Sequence, residues 1–143
     1  MTRAELLSFL RRHRLAVEAS VGVDGAPQAA VVGIAVGEEL ELVFDTLEST
    51  RKFANLRAEP RIALVVGWDE EATAQIDGVA HFPTGAELMR ARELYFSVYP
   101  DGRDRLAWQG ITHVVVRPTC VRFSDFGKTP PVFAEFGPRE LAS

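Results

Sequence analysis

Two residues, Asp24 and Gly25, constrain this chain more than any others. They separate an alternating run, Leu15 to Val21, from a second apolar run over 28–36, with Pro27 in between. An Asp-Gly pair supplies the positive φ angles of a tight hairpin turn, and the proline ends it. Strands joined by so short a link are antiparallel, because a parallel pair needs a long crossover. The chain therefore opens an antiparallel sheet close to its N-terminus.

In the first strand Leu15, Val17, Ala19 and Val21 alternate with Ala16, Glu18 and Ser20, the period of a strand with one face buried. The return strand, 28–36, is apolar on both faces and is expected inside the sheet. Gly37-Glu38-Glu39 predicts another turn, after which Leu40, Leu42 and Phe44 alternate with Glu41 and Val43 as a third strand. Ahead of the hairpin, Thr2-Arg3-Ala4-Glu5 is a capping box and Leu6, Leu7 and Leu10 mark an apolar stripe, which predicts a helix to about His13. Ser49 or Thr50 caps a short helix that turns Phe53 and Leu56 inward and stops before Pro60.

Two further strands follow over 61–67 and 72–82, parted by the polar turn Asp69-Glu70-Glu71. Thr84-Gly85-Ala86-Glu87 is a second capping box, opening a helix with Leu88, Ala91, Tyr95 and Val98 at helical spacing. Pro100-Asp101-Gly102 closes it, and the segments 111–116 and 120–124 flank Pro118 as one or two last strands. The tail over 127–143, rich in proline and glycine, is expected to be extended. The sum is a mainly β fold with flanking helices: six or seven strands, largely antiparallel, closed as a small barrel. A single domain spanning 1–143 is expected, with its N-terminal helix within 1–14.

Hydrophobic residues at 47% and charged residues at 25% are globular proportions. Sixteen basic against twenty acidic side chains, net charge −4, disfavour wrapping of nucleic acid. No apolar run approaches the roughly 18 residues that cross a bilayer, so no membrane partner is expected. The lone Cys120 forms no internal disulfide, and a cytoplasmic protein is expected.

Most chemical signatures are missing. There is no phosphate-binding G-x-x-x-x-G-K-[ST] loop, no G-x-G-x-x-G fingerprint and no C-x-x-C pair. His13, His81 and His113 lack metal-ligand spacing, so no metal site is assigned. Asp125-Phe126-Gly127 spells a kinase tripeptide without any other kinase element, and Cys120 lies in a strand as a packed or half-exposed thiol.

The segment Thr46-Leu47-Glu48-Ser49-Thr50-Arg51-Lys52 is different. It joins a strand end to a helix start, where free amides and the positive end of the helix dipole favour an anion. Thr46, Ser49 and Thr50 add hydroxyls, and Arg51 and Lys52 add charged donors suited to phosphate. The same residues also suit a plain helix cap with two solvated cations, and Glu48 pointing inward would repel an anion.

Phe44-Asp45-Thr46, then Ser49-Thr50-Arg51-Lys52, then Ala54-Asn55-Leu56 and Glu59-Pro60-Arg61-Ile62-Ala63-Leu64 resemble the pyridoxamine 5′-phosphate oxidase family. That family has an aromatic strand ending in threonine, then Ser-Arg-Lys, then an Asn-Pro-Arg turn into an apolar strand. The hairpin with Pro27, Ile76-Asp77-Gly78, Val116-Arg117-Pro118 and Val121-Arg122-Phe123 extend the likeness over 15–125. It implies a split β-barrel and a homodimer with flavin mononucleotide (FMN) in a groove at the subunit interface. By position, Thr46, Thr50, Arg51 and Lys52 match family residues that hold the flavin phosphate and ribityl chain, with Ser49 in the same motif. Thr73 falls where the family has a glutamine near the isoalloxazine ring, and Trp108 roughly where it has a flavin-contacting tryptophan.

The chain also departs from the family. Ala30 stands where the oxidase has a phosphate-binding arginine. The arginine and histidine that engage the pyridoxine substrate have no counterpart after Phe123. The broader family includes proteins that hold deazaflavin F420 or haem in the same groove. The resemblance thus implies an FMN-dependent oxidoreductase acting on a small molecule. The alternatives are a non-catalytic flavin- or haem-binding carrier or sensor, and an F420-dependent reductase. A bound cofactor carries the redox chemistry itself, which fits a chain in which no catalytic residue is identifiable.

Overall fold

The chain begins with the helix that its capping box predicts. In this computed structural model, which describes residues 1–142, the Glu5 amide donates to Thr2 Oγ1 at 3.1 Å and the Thr2 amide to Glu5 Oε2 at 2.8 Å. Helix α1 (Arg3–Arg11) buries Leu6, Phe9 and Leu10 and stops just short of His13. Strands β1 (Leu15–Val21) and β2 (Pro27–Gly33) then pair antiparallel around Gly25, whose φ of 84° is the left-handed conformation a hairpin of this kind needs. Next come β3 (Ala35–Val36), β4 (Leu42–Leu47), α2 (Arg51–Ala58), β5 (Arg61–Val66), β6 (Ala72–His81) and α3 (Gly85–Val98). A 3-10 helix (Pro100–Ala107), β7 (Ile111–Asp125), β8 (Val132–Phe136) and α4 (Pro138–Ala142) complete the chain.

The order across the sheet is β2-β1-β5-β6-β7-β4-β3, antiparallel throughout, with β8 added to β7. This order alone requires closure. β2 and β3 stand at opposite ends of it, yet only Ile34 separates them in the chain. The sheet must curl until its edges meet, and the result is a split β-barrel with flanking helices. Its interior holds Leu42, Phe44, Leu64, Ile76, Val114 and Val121, each almost wholly buried. A side chain of this kind contributes about 1.5–3 kcal/mol on burial.

Eight strands form where six or seven are expected, and the differences have local causes. The run 28–36 breaks at Ile34, just after Gly33, whose lack of a side chain lets the Tyr99 ring pack close by, and 35–36 is a separate strand. The third strand starts later than its alternation predicts, because Leu40 takes a φ of 65° and belongs to the turn, its amide donating to the Gly37 carbonyl. The segments on either side of Pro118 are one 15-residue strand. Pro118 is accommodated where the β6–β7 register shifts at Asp77/Gly78, a bulge that spares a residue with no N–H. Gly78 is required there, since an added Cβ would lie 2.8 Å from the Arg117 carbonyl oxygen.

Thr84 does precede α3, but its side chain makes no capping bond, and Glu87 reaches His81 and Arg117 instead. The segment over 127–143, expected to be extended, is so in β8 and then turns into α4.

The largest departures concern β1 and β2. In β1 the buried face is Ala16, Glu18 and Ser20, while Leu15 and Val21 are 48% and 39% exposed. β2 is an edge strand rather than an internal one, and its Val31 is 62% exposed. Val17 pairs with Val31 on one side and Val65 on the other, so the outer face of β2-β1-β5 is a continuous apolar surface. At the other end of the sheet α3 covers the outer face of β3, β4 and β7, packing Ala91, Tyr95 and Phe96 on Ala35, Val43 and Val115.

Candidate functional site

Strand alternation sends the residues at the end of β4 to opposite faces. Asp45 turns out toward α3 and Thr46 turns into the barrel, where it is buried. Thr50, rather than Ser49, is the N-cap of α2: its Oγ1 accepts from the Phe53 amide at 3.3 Å and donates to the Leu47 carbonyl at 2.8 Å. A hydroxyl has one proton, so the 2.9 Å contact between Thr46 and Thr50 has Thr46 as donor. Both threonine protons are therefore engaged inside the loop, where they shape it. Ser49 is exposed beside them.

The donors left for an anion are the backbone amides and the side chains of Arg51 and Lys52, since the Phe53 amide is already held by Thr50. Among the described residues neither cation makes an ion pair or hydrogen bond. Together with Glu18, Ser20, Gln28, Ala29 and Ala30 they line a cleft of about 150 Å³. That is about five water volumes, room for a phosphate group. Asn55 sets the walls: its Nδ2 donates to Ser20 Oγ at 3.1 Å and Gln28 Oε1 at 2.8 Å, which fastens α2 to the β1-β2 hairpin. Ala29 belongs to the outer face of β2, so the cleft opens around the sheet edge onto the apolar surface.

Glu18 is the unusual member of this set. It is 2% exposed, its Oε2 has no hydrogen-bond partner, and it lies directly across from Ala30 on β2 and Leu64 on β5. Burial pushes its carboxyl above the ordinary range, while Lys52 and the Ser20 hydroxyl pull it back. Protonated, Glu18 is a further donor facing the cleft. The side chains and amides of Arg51 and Lys52 fit a phosphate in a space of the right size, and Glu18 fits it in its protonated form.

The remaining residues expected at the site lie elsewhere within the protomer. Thr73 is on the outer face of β6, hydrogen-bonded to Ser124 at 3.2 Å and three strands from β2 in the sheet order. Trp108, 55% exposed, caps the 3-10 helix. It stands at the same end of the sheet as the cleft, because the Glu48 amide donates to the Gly110 carbonyl at 2.8 Å. Cys120 is a resting thiol: burial and the nearby Glu135 and Asp77 carboxylates raise its pKa.

A second polar cluster lies under α3. Arg105 Nε donates to Asp45 Oδ2 at 2.9 Å, and the Tyr95 hydroxyl donates to Asp45 Oδ1 at 3.2 Å. His113 is 2% exposed beside them, with neither ring nitrogen hydrogen-bonded. Burial lowers its pKa, Asp45 opposes this, and Arg92 and Arg105 add to it.

Sequence reasoning missed Glu18, Ser20, Gln28 and Asn55 as site residues. The signal for Glu18 was present as one charged residue on a strand position that alternation could have placed inside.

Residues 2–117 match the family model of pyridoxamine 5′-phosphate oxidase. A curated pyridoxine/pyridoxamine 5′-phosphate oxidase of Thermosynechococcus vestitus is 35% identical over 91 residues, covering 63% of this chain and 41% of that protein. The chain thus spans about two fifths of the length of the curated relatives it matches. Among solved structures, a heme binding protein from Mycobacterium smegmatis superposes with a TM-score of 0.83 at 20% identity, over 99% of this chain and 60% of that one. A pyridoxamine 5′-phosphate oxidase-related, FMN binding protein from Nostoc punctiforme gives 0.69 at 10% identity, over 93% of each chain. At those identities the two structures establish the fold alone.

Proposed function

This chain belongs to the pyridoxamine 5′-phosphate oxidase family, and on that premise we propose that it is an FMN-binding oxidoreductase acting on a small molecule. The observation that carries the reading is the cleft at the start of α2, where Arg51 and Lys52 stand unpaired beside free amides. In this proposal Arg51 and Lys52 hold the phosphate, Ser49 adds a hydroxyl, and Thr46 and Thr50 keep the loop in shape. Bound FMN supplies hydride and electron transfer; the protein binds it, orients it and shields it from water. We assign no acid–base residue.

We further propose a cytoplasmic homodimer, with the cofactor between the subunits. A single protomer offers only a shallow cleft, whereas ligand sites bury most of the ligand. The apolar outer face of β2-β1-β5 is continuous with the cleft and is the surface a second copy would cover. Two-fold dimers are also the commonest closed assembly. In such a dimer Thr73 and Trp108 are candidates to meet the flavin ring from the partner subunit.

The second reading is a non-catalytic flavin or haem carrier, and Ala30 favours it, because a methyl group stands where an arginine would strengthen the hold on phosphate. An F420-dependent reductase is the variant in which the cofactor alone changes. The test is to purify the full chain, identify any released chromophore by mass, and follow reduction by NADH or NADPH and reoxidation by an acceptor. Released FMN with turnover supports the proposal. Bound FMN without turnover, or haem, supports the carrier.

A further inference from the structure

We propose that Glu18 is the specificity-determining residue of the α2 cleft: a phosphate settles on Arg51 and Lys52 only when the Glu18 carboxyl carries a proton. This rests on the reading of the cleft as a phosphate site. Glu18 projects from β1 into the barrel, 2% exposed, and lines the cleft with an Oε2 that nothing else contacts by hydrogen bond. Of the elements packed around it, β2 presents Gln28 and Ala30, β5 presents Leu64, and β1 itself presents Ser20. Charge comes from α2 alone, as Arg51 and Lys52; Asn55 is neutral and already held by Ser20 and Gln28.

The cleft therefore holds one carboxyl and two cations, and a phosphate would bring a second anion into the same enclosed space. Two like charges so placed do not both persist. When Glu18 is ionised it is itself the counter-anion of Lys52, and an incoming phosphate must displace it against repulsion. When Glu18 is protonated, Lys52 is released and the carboxyl O–H donates to a phosphate oxygen, a charge-assisted bond of the strong kind. Burial already inclines the carboxyl toward its protonated form. The cleft accordingly selects a phosphomonoester together with one proton, and disfavours the same ligand as pH rises.

The experiment titrates FMN, and in parallel inorganic phosphate, into the full chain and into Glu18→Gln and Glu18→Val between about pH 6 and pH 8. The phosphate group's own titration is common to all three proteins, so the comparison isolates Glu18. The wild type is expected to lose up to about tenfold in affinity per pH unit relative to both variants, the limit for one linked proton. The variants should bind more tightly than the wild type at the upper pH. A wild-type-to-variant affinity ratio that stays constant with pH overturns the proposal. If either variant fails to fold, calorimetry of the wild type in buffers of different ionisation enthalpy decides, with proton uptake beyond the ligand's own expected and its absence overturning. Inorganic phosphate bound with the Glu18-dependent slope, without FMN affinity, sinks the flavin reading and sustains the role of Glu18. Binding of neither probe to any of the three proteins overturns both.

Discussion

Asp45 and Arg105 lie 60 residues apart in the chain and 2.9 Å apart in the fold, Oδ2 to Nε. The pair ties the 3-10 helix that follows α3 to β4, one residue before the loop that forms the cleft. Tyr95 closes a triangle with them, its hydroxyl 3.2 Å from both partners. The side chains of Asp45 and Arg105 are 15% and 19% exposed, so neither can turn to bulk water if the other is removed. Arg105→Ala should lower stability by on the order of 3 kcal/mol, the usual cost of stranding a buried charge. Tyr95→Phe, which removes the two hydrogen bonds of the hydroxyl, should cost about 2 kcal/mol. Denaturant midpoints measure both, and equal small losses would mean that Asp45 rehydrates.

Arg51 and Lys52 give the direct test of the phosphate cleft. Each charge-assisted bond contributes roughly 1.5–3 kcal/mol, so alanine at either position should weaken FMN binding by about 10- to 150-fold. Riboflavin, which lacks the phosphate, should bind poorly to the wild type and hardly notice the substitutions. The fold should be little affected, since among the described residues neither side chain makes a hydrogen bond or ion pair. Unchanged FMN affinity in both variants would remove the cleft from consideration.

Val31 separates a dimer from a monomer. At 62% exposure in the protomer, Val31→Glu should leave an isolated chain folded, with a stability change within about 0.5 kcal/mol. In a homodimer built on the β2-β1-β5 face, it places an unpaired carboxylate in an apolar interface. Sedimentation should then show dissociation to monomers together with loss of bound cofactor. A variant that remains dimeric would place the interface elsewhere.

His113 makes the protein sensitive to acid. Its folded pKa lies below the ordinary imidazole value of about 6.5, because burial disfavours the charged ring. Above that value the ring is neutral folded or unfolded, and its contribution is complete. As pH falls through it, the unfolded chain takes up a proton that the folded chain resists, and stability drops. His113→Phe, which keeps a ring against Tyr95 and Phe96, should flatten the decline below about pH 6.5. Glu18 acts with the opposite sign: its raised folded pKa gives a contribution complete below the ordinary carboxyl value and lost as pH rises. Glu18→Gln should therefore gain stability relative to the wild type on the alkaline side. Chemical denaturation across the pH range reads both slopes.

Much of this was legible in the residues themselves. The Asp24-Gly25 turn, the Thr2 capping box and the 46–52 segment announce local structure, because each depends on contacts only a few residues apart. The faces of β1 were not legible. Leu15, Val17, Ala19 and Val21 form the more apolar stripe, yet Ala16, Glu18 and Ser20 turn inward, since barrel closure leaves room inside for small residues and the cleft. Alternation reveals two faces and not which neighbour each will meet. Thr84 shows the same limit, as a capping box undone when Arg117, 30 residues on from Glu87, offers a better partner. Asn55, Gln28 and Glu18 meet only once α2 has docked, and no local pattern could join them.

β7 pairs with β4 at one end and with β6 along most of its length, and it carries β8 as well. Among the described residues it is the only strand that links the early hairpin, by way of β5 and β6, to β4 through ladder hydrogen bonds. It is also made well after β4, with residues 48–110 between the two in the chain. Until residues 111–125 are made, β3 and β4 lack the neighbour that attaches them to the rest of the sheet. Their apolar edges must wait, exposed, for a partner that comes late. Long-range pairing of this kind is slow and open to misassembly. A chain cut before Ile111 should therefore aggregate rather than form a smaller barrel, although it keeps every cation of the cleft.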